Sequence, residues 1–142
     1  KFLDIKCRYA GLTPDAVVMV ATVRALKMHG GMLKNELGNE NLEALEKGIP
    51  NLLRHVSNIK NVYKLPCVVA VNRFQTDTDA EINLVIEKCK TLGVNVVLST
   101  VWADGGEGGK AMAEAVVKLC EEEKDFTFSY ELDETIEKKI EK

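Results

Sequence analysis

The chain has 142 residues, of which 46% are hydrophobic and 29% are charged, and its formal net charge is −3. That length corresponds to one domain, and the composition is ordinary for a soluble protein with a sizeable core. A net negative charge provides no broad basic field, so the totals argue against nucleic acid or an anionic membrane as the main partner.

The cysteines and the absence of targeting patterns indicate the compartment. The four cysteines are far apart, form no C-x-x-C motif and lie within apolar patterns: Cys7, Cys67, Cys89 and Cys120. They are therefore predicted to be buried, reduced thiols in a cytoplasmic protein. No apolar run is as long as a membrane span, and no signal-peptide pattern opens the chain.

Amphipathic patterns run up to both ends of the sequence. The chain starts at Lys1 without a methionine, and helical spacing continues through Leu132, Ile136 and Ile140. We therefore expect residues 1–142 to be an internal fragment of a longer protein and part of a larger domain. Residues 125–142 are expected to begin a following, truncated segment.

Three apolar runs without polar alternation are predicted to be buried strands. Alternation is expected only where one face of a sheet meets water, so both faces of these strands should be covered. The runs are Ala16–Ala21, Cys67–Val71 and Val94–Leu98.

Helical patterns separate these strands. Apolar spacing predicts a short helix over Phe2–Tyr9, and another over Thr22–His29 that is closed by Gly30 and Gly31. Residues 32–39 have no period and are predicted to be a loop. The spacing from Glu40 to Tyr63 keeps its phase through Pro50, which predicts one long helix with a kink.

The second half of the chain continues the same alternation. Thr78 and Glu81 have the spacing of a capping box at the start of a helix that stops before Gly93. A helix with Met112, Ala115, Val116, Leu119 and Cys120 inward is predicted after a glycine-rich loop, residues 99–109. Period-2 aromatics at Phe126, Phe128 and Tyr130 suggest a short strand before a final helix.

Alternating strands and helices predict a fold of the α/β class, in which a parallel sheet lies between two layers of helices. In such sheets, ligands bind beyond the carboxyl ends of the strands. The three strand ends should therefore bring residues 22–24, 72–77 and 99–109 to one edge. The candidate site residues are taken from these three segments.

Two aromatic residues at this edge are candidates for a slot that holds a flat ring. Phe74 and Trp102 follow separate strands and do not belong to a helix stripe, so they could stack on a heterocycle or simply pack as a lid. Asn72 and Asp77 have some similarity to the Asn-Lys-x-Asp element of GTPases, although Arg73 replaces the lysine and the aspartate comes two positions late.

Charge and backbone donors are also available at this edge. Arg24 lies nearest the end of the first strand and is predicted to face a phosphate or carboxylate. The glycine-rich loop, with Gly105, Gly106 and Gly108, could direct backbone N–H groups at an anion or could simply be flexible. His29 fits a helix cap. Neither G-x-x-x-x-G-K-S/T nor G-x-G-x-x-G occurs in the chain.

Four segments together resemble the formate–tetrahydrofolate ligase family, also called 10-formyltetrahydrofolate synthetase. They are VATVRALKMHGG at 20–31, VAVNRFQTDTDAE at 69–81, WADGGEGG at 102–109 and FLDIKCR at 2–8. The similarity spans essentially the whole chain, and TVRALKMHGG at 22–31 is its most specific string.

The resemblance implies a P-loop-NTPase-like α/β fold and an ATP-dependent ligase. The intact enzyme would join formate to tetrahydrofolate through formyl phosphate, with ATP and Mg and with a monovalent cation as a further candidate. It would act on small molecules as a homo-oligomer. The resemblance also implies that Phe74 and Trp102 hold the pterin ring, that Arg73 and Gln75 tune binding, and that the phosphate loop lies upstream. The fragment alone should then be inactive.

Two other interpretations are open at this point. The Asn72 element is compatible with a purine-nucleotide-binding switch module of the GTPase type. The aromatic residues Phe74 and Trp102 are also compatible with a non-catalytic domain that docks a protein partner. The sequence identifies neither a general base nor a metal site.

Overall fold

The computed structural model describes all 142 residues and contains one parallel sheet of three strands in the order β1-β2-β3. The strands are β1 (Val17–Ala21), β2 (Cys67–Asn72) and β3 (Asn95–Ser99). Helices flank this sheet, which confirms the predicted α/β class and the parallel direction of all three strands. The narrower description as P-loop-NTPase-like stays a prediction.

Seven α-helices surround or extend from the sheet, and four of them adjoin one of three π-helical or 3-10 turns. The π-helical turn Phe2–Cys7 leads into α1, the turn Asn58–Val62 continues α3, and the 3-10 turn Gly105–Gly109 joins α5 to α6. The α-helices are α1 (Arg8–Ala10), α2 (Val23–His29), α3 (Leu42–Ser57), α4 (Asp79–Lys90), α5 (Val101–Asp104), α6 (Lys110–Cys120) and α7 (Ile136–Glu141).

The central strand β2 is buried along its length, as predicted. Its side chains point alternately to the two faces of the sheet, and all of them from Cys67 to Val71 are buried. Cys67, Val69 and Val71 join the main core with residues of α2, α3 and α4, while α6 contacts β2 and β3. Covering β2 on both faces explains why its sequence shows no alternation.

Strand β1 differs from the prediction, because only one of its faces is covered. Val17, Met19 and Ala21 face the core, whereas Val18 and Val20 are exposed, Val20 to 66%. Helix α6 lies over β2 and β3 on the second face of the sheet. The absence of polar residues in this strand did not reveal that its second face is open.

Helix α3 confirms the prediction that Pro50 lies inside one helix. Asn41 caps the N-terminus of the helix, and its side-chain oxygen accepts a hydrogen bond from the Ala44 N–H at 2.9 Å. An interior proline costs roughly 3 kcal/mol. The helix continues past Pro50 because an apolar face is buried on both sides of the proline, including Leu45, Ile49, Leu52 and Val56. The predicted kink stays a prediction.

Helices α2 and α3 cross at two glycines. A Cβ atom on Gly48 would lie 1.8 Å from the Leu26 carbonyl oxygen, and one on Gly30 would lie 1.8 Å from the Ala44 carbonyl oxygen. No other residue type fits at such a separation. Gly30 also ends α2 as predicted, since its N–H donates to Leu26.

The tail is not a strand at residues 126–130, and the prediction of one is wrong. Thr127 N donates to the Tyr63 carbonyl oxygen at 3.1 Å, Phe126 packs against the main core, and the Phe126 and Phe128 rings meet edge to face. Ser129 N donates to Asp4 Oδ1 at 2.7 Å, Tyr63 Oη donates to Asp4 Oδ2 at 2.6 Å, and the Arg8 guanidinium lies 3.8 Å from the Phe128 ring centroid. The expected new segment at residue 125 stays a prediction.

The cysteine prediction holds at three of four positions. Cys7, Cys67 and Cys89 are buried and free, and burial raises the pKa of Cys89 to about 11. Cys120 is free but exposed, which corrects the prediction, because it lies at the end of α6 beyond the inward face formed by Met112, Ala115 and Val116. No helix is both long and apolar enough to cross a membrane.

Candidate functional site

A cavity of about 350 Å³ lies at the carboxyl ends of the strands. Its volume is at the low end of the range for small-molecule sites. Four predicted site residues line it together: Arg24, Asn72, Phe74 and Trp102. Arg73, Gln75 and Thr76 complete the lining. Asp77 and the glycines at 105, 106 and 108 do not line it.

The loop after β2 is held in a tight turn. Arg73 N donates to the Ser99 carbonyl oxygen at 3.1 Å, which extends the ladder between β2 and β3 by one residue. Asp77 N donates to the Phe74 carbonyl oxygen at 3.0 Å, and Asp77 Oδ2 accepts from Phe74 N at 2.8 Å. These bonds fix the backbone conformation of the turn from which the Phe74 side chain projects.

Asp77 is therefore placed as a support of the turn. The residue is only 3% exposed, and its second oxygen, Oδ1, is buried without a hydrogen-bond partner. In a guanine-reading element the carboxylate would face the base, whereas Asp77 faces its own loop. Direct contact of Asp77 with a ligand stays a prediction.

Arg24 contacts the same loop from α2. Its guanidinium carbon lies over the Phe74 ring, 4.6 Å from the centroid, and its Nη2 donates to Thr76 Oγ1 at 3.1 Å. The Arg24 Nε is buried without a partner. Thr22 caps the N-terminus of α2, because its hydroxyl accepts a hydrogen bond from Ala25 N at 3.1 Å, and Arg24 therefore lies in the first turn.

Both aromatic side chains present apolar surface to solvent. Phe74 is 38% exposed and Trp102 is 82% exposed. Trp102 is carried by α5, which follows β3 directly. Two aromatic rings on unlinked segments that line one cavity can stack on a flat ring, at a gain of roughly 0.5–1.5 kcal/mol each beyond area burial.

The glycine-rich segment is helical, and the prediction of a loop is wrong. Ala103 N and Asp104 N both donate to the Thr100 carbonyl oxygen at 2.9 Å, and Thr100 N donates to Gly108 O at 3.1 Å. The bond between Thr100 and Gly108 joins the two ends of the segment, so the glycine content alone did not indicate it. The segment forms α5 and a 3-10 turn.

The glycines of this segment have different tasks. A Cβ atom on Gly108 would lie 2.5 Å from the Thr100 carbonyl carbon, so this glycine permits close approach. The Gly105 N–H already donates to Val101 O, and Gly105 has a φ of 60°. Gly106 has open space around it. Binding of an anion by these three glycines stays a prediction.

A buried ion pair near the site was not predicted. Lys27 Nζ and Glu81 Oε1 lie 2.8 Å apart, and both side chains are fully buried. Lys27 Nζ also donates to Asn39 O at 2.7 Å. Glu81 accepts from Asn41 N at 3.0 Å and from Thr78 N at 3.1 Å.

Two signals in the sequence draw attention to Lys27 and to Glu81 separately, although neither identifies them as partners. Lys27 lies on the inward face of α2 beside Leu26 and one turn after Val23. The capping box at Thr78 is confirmed, but Glu81 extends past it to the neighbouring helix. Burial alone would raise the pKa of Glu81, but hydrogen bonds from Lys27, Asn41 and Thr78 lower it on balance.

The other titratable groups near the cavity offer no metal centre. No group of three or more His, Cys, Asp or Glu side chains is arranged to hold a metal ion. His29 and His55 are exposed, as expected for a helix end and a surface position.

Comparison with protein families gives a match over residues 1–142 to the family described as formate–tetrahydrofolate ligase. The match covers the whole chain, so it includes α2, the loop after β2 and the segment that carries Trp102. The cavity therefore lies entirely within the matched region.

Proposed function

Because the chain belongs to the formate–tetrahydrofolate ligase family, we propose that it carries the ring-binding part of the site where formate is joined to tetrahydrofolate. The reaction consumes ATP and gives 10-formyltetrahydrofolate, ADP and phosphate. Formate first attacks the terminal phosphorus of ATP to give formyl phosphate and ADP. The N10 nitrogen of tetrahydrofolate then attacks the formyl carbon, and phosphate leaves.

The observation that carries this proposal is the cavity shared by Phe74 and Trp102. Its size suits one flat ring system, and aromatic residues supply area without the cost of ordering long side chains. We assign the pterin ring to this slot, and the adenine of ATP can use the same surface. The side chains of Asn72 and Gln75 make no hydrogen bond within the chain, so their amides are free for the ring edge.

Arg24 supplies positive charge to the site, beside Arg73, which is paired with Asp79. Its guanidinium contacts Phe74 and Thr76, and the buried Nε has no partner. A cation beside the cavity stabilises the negative charge of a bound phosphoryl or carboxylate group. We assign Arg24 this role together with the support of Phe74, and we assign phosphate contact to the Gly105–Gly109 turn.

The remaining parts of the reaction need groups outside this set. The residues of the chain offer no metal-ligand cluster, so the Mg ion that accompanies ATP and any monovalent cation are not assigned to them. The chain has no G-x-x-x-x-G-K-S/T motif. We therefore propose that a phosphate loop outside residues 1–142 completes the site, that these residues alone do not turn over ATP, and that the intact cytoplasmic enzyme is a homo-oligomer.

Fluorescence of Trp102 tests the slot directly, because it is the sole tryptophan of the chain. Tetrahydrofolate, titrated anaerobically, should quench its emission in a saturable manner, and formate should not. Phe74→Ala should raise the tetrahydrofolate Kd several-fold. Phe2→Ala, which removes an exposed aromatic ring outside the cavity, is the matched control and should leave the Kd unchanged.

Two results would contradict the proposal. One is the absence of quenching by tetrahydrofolate or ATP at millimolar concentrations. The other is an equal Kd for Phe74→Ala and Phe2→Ala. Calorimetric titration of the same variants checks that the optical signal reports binding.

A further inference from the structure

Helix α2 contacts the Phe74 loop region at two points that are one helical turn apart. Arg24 reaches the middle of the loop through Thr76 and the Phe74 ring. Lys27 reaches its end through Glu81, whose second oxygen accepts the hydrogen bond from Thr78 N. The side chains of residues three apart on a helix lie on the same side, so both contacts come from one face of α2.

The Lys27–Glu81 pair joins four segments by direct hydrogen bonds. The segments are α2, which carries Lys27, the loop before α3 with Asn39, the α3 N-terminus with Asn41, and the α4 N-terminus with Thr78. Thr78 is both the first residue after the Phe74–Asp77 turn and the cap of α4. The pair therefore determines where the turn that carries Phe74 meets the rest of the protein.

Stability alone is a poor explanation for this pair. Two buried charges lose their hydration, and replacing such a pair by apolar residues of similar volume is often neutral or stabilising. A buried pair does impose direction and distance, because each hydrogen bond has a defined geometry. Among the partners of Glu81, Thr78 is the one that continues into the binding loop.

We propose that Lys27 and Glu81 are positioning residues that fix the Phe74 loop for ring binding. The pair sets the distance between α2 and the start of α4. That distance allows Arg24 to contact both the Phe74 ring and Thr76. This inference rests on the proposed function, since it assumes that Phe74 is a wall of the ring slot. Neither Lys27 nor Glu81 lines the cavity, so both act through the loop.

The first test uses two variants and one matched control. Lys27→Met/Glu81→Leu replaces the pair by apolar residues of similar size, and Glu81→Gln keeps the shape but removes the charge. Val85→Ala, one turn further along α4 and fully buried, loosens the same helix without touching the pair. Thermal unfolding and Trp102 quenching by tetrahydrofolate are measured for each.

We expect the apolar pair to keep its melting temperature within a few degrees of the parent and to raise the tetrahydrofolate Kd about tenfold. Glu81→Gln should raise the Kd at least threefold. Val85→Ala should lower the melting temperature without changing the Kd more than twofold. If the Lys27→Met/Glu81→Leu variant does not fold, the comparison of the Kd values of Glu81→Gln and Val85→Ala tests the positioning role.

A second readout does not depend on the ligand. Hydrogen exchange at the Phe74 and Asp77 amides, which are bonded within the turn, should be faster in Glu81→Gln than in Val85→Ala. Failure of the parent to bind tetrahydrofolate would overturn the proposed function while leaving this comparison valid. The positioning role is overturned if Glu81→Gln matches Val85→Ala in exchange, or if both variants weaken binding equally in a protein that binds.

Discussion

At the scale of single residues, the two faces of the Phe74 ring have different environments. The Arg24 guanidinium lies over one face, 4.6 Å from the centroid. A cation over a ring is attracted by its negative face, with a gain of about 0.5–2 kcal/mol that depends on exposure. Arg24 therefore supports the ring, and under the proposed function a flat ligand would stack on the other face.

Replacement of Arg24 should show both of its roles. We expect Arg24→Met to raise the tetrahydrofolate Kd about tenfold, because the ring loses its support and Thr76 loses a donor. Arg24→Lys should have a smaller effect on binding, because it keeps the charge but not the planar fork. Calorimetric titration measures both. Equal Kd values for Arg24→Met and the parent would contradict the support of Phe74.

Trp102 should affect folate more than formate. In the enzyme that combines these residues with a phosphate loop, we expect Trp102→Ala to increase the folate KM by a factor between several-fold and about a hundredfold, because stacking area is lost. The formate KM should change less, since formate offers no ring. Steady-state kinetics with each substrate varied in turn measures the difference. Unchanged folate and ATP kinetics would contradict the slot assignment and would leave Trp102 with a packing role only.

At the scale of elements, the crossing of α2 and α3 depends on Gly48. Alanine is favoured over glycine inside a helix by about 1 kcal/mol. A Cβ atom at this position would lie 1.8 Å from Leu26 O, so the helices must separate. We expect Gly48→Ala to lower the free energy of unfolding by at least about 3 kcal/mol, the upper part of the range for overpacking.

Denaturant titration measures this change, and Gly106→Ala is the matched control. Nothing lies within 4 Å of a Cβ atom at Gly106, and its φ is not in the left-handed region. Its free energy of unfolding should stay within about 0.5 kcal/mol of the parent, as is usual for a surface change. A tolerated Gly48→Ala would show that the two helices can move apart freely.

Sequence patterns predicted the elements whose signals are local. β2 and the α3 helix through Pro50 follow from unbroken apolar periodicity, and the α4 start follows from the capping box. The open face of β1 was not predicted. Valine at positions 18 and 20 indicates burial in the sequence pattern, whether or not a helix covers that face in the fold. The helical turn at 105–109 depends on the bond between Thr100 and Gly108, which no local pattern encodes.

The candidate site was predictable to a similar extent. The carboxyl-edge rule brought Phe74, Trp102, Asn72 and Arg24 to one place, and all four line the cavity. The partner of Lys27 could not be identified, because an ion pair between distant residues has no periodicity. Asp77 was expected to lie at the ligand edge. Its hydrogen bond with the Phe74 N–H could not be predicted, because it depends on the conformation of the folded turn.

At the scale of the whole molecule, Asp4 joins the first helical turn to the tail. Burial alone would raise its pKa, but the hydrogen bonds from Tyr63 and Ser129 lower it below the ordinary value of 3.8 on balance. A carboxyl group with a lowered folded-state pKa stabilises the fold fully above its unfolded value. That contribution is lost as the pH falls through the folded-state pKa.

We therefore expect Asp4→Asn to reduce the free energy of unfolding at pH 7 by about 1.5–3 kcal/mol, the usual range for hydrogen bonds to a charged group. The difference from the parent should shrink as the pH falls below 3.8, the ordinary pKa of the carboxyl group. Denaturant titrations between neutral and acidic pH measure it. Asp133→Asn, at an exposed position, is the control and should track the parent throughout.

The bond between Asp4 and Ser129 also limits how early the opening helix can make its final contacts during synthesis. The two residues are separated by 125 positions. At synthesis rates of roughly 5–20 residues per second, about 6–25 s pass between the appearance of the first and of the second. During that interval the sheet can form and Tyr63 can reach Asp4, but the opening helix still lacks its contact with Ser129. Phe2 and Ile5 stay more than half exposed even after the tail has docked, so the tail holds this helix through the polar contact of Asp4 and not by covering apolar side chains. Final placement of the first residues of the chain therefore waits for some of the last.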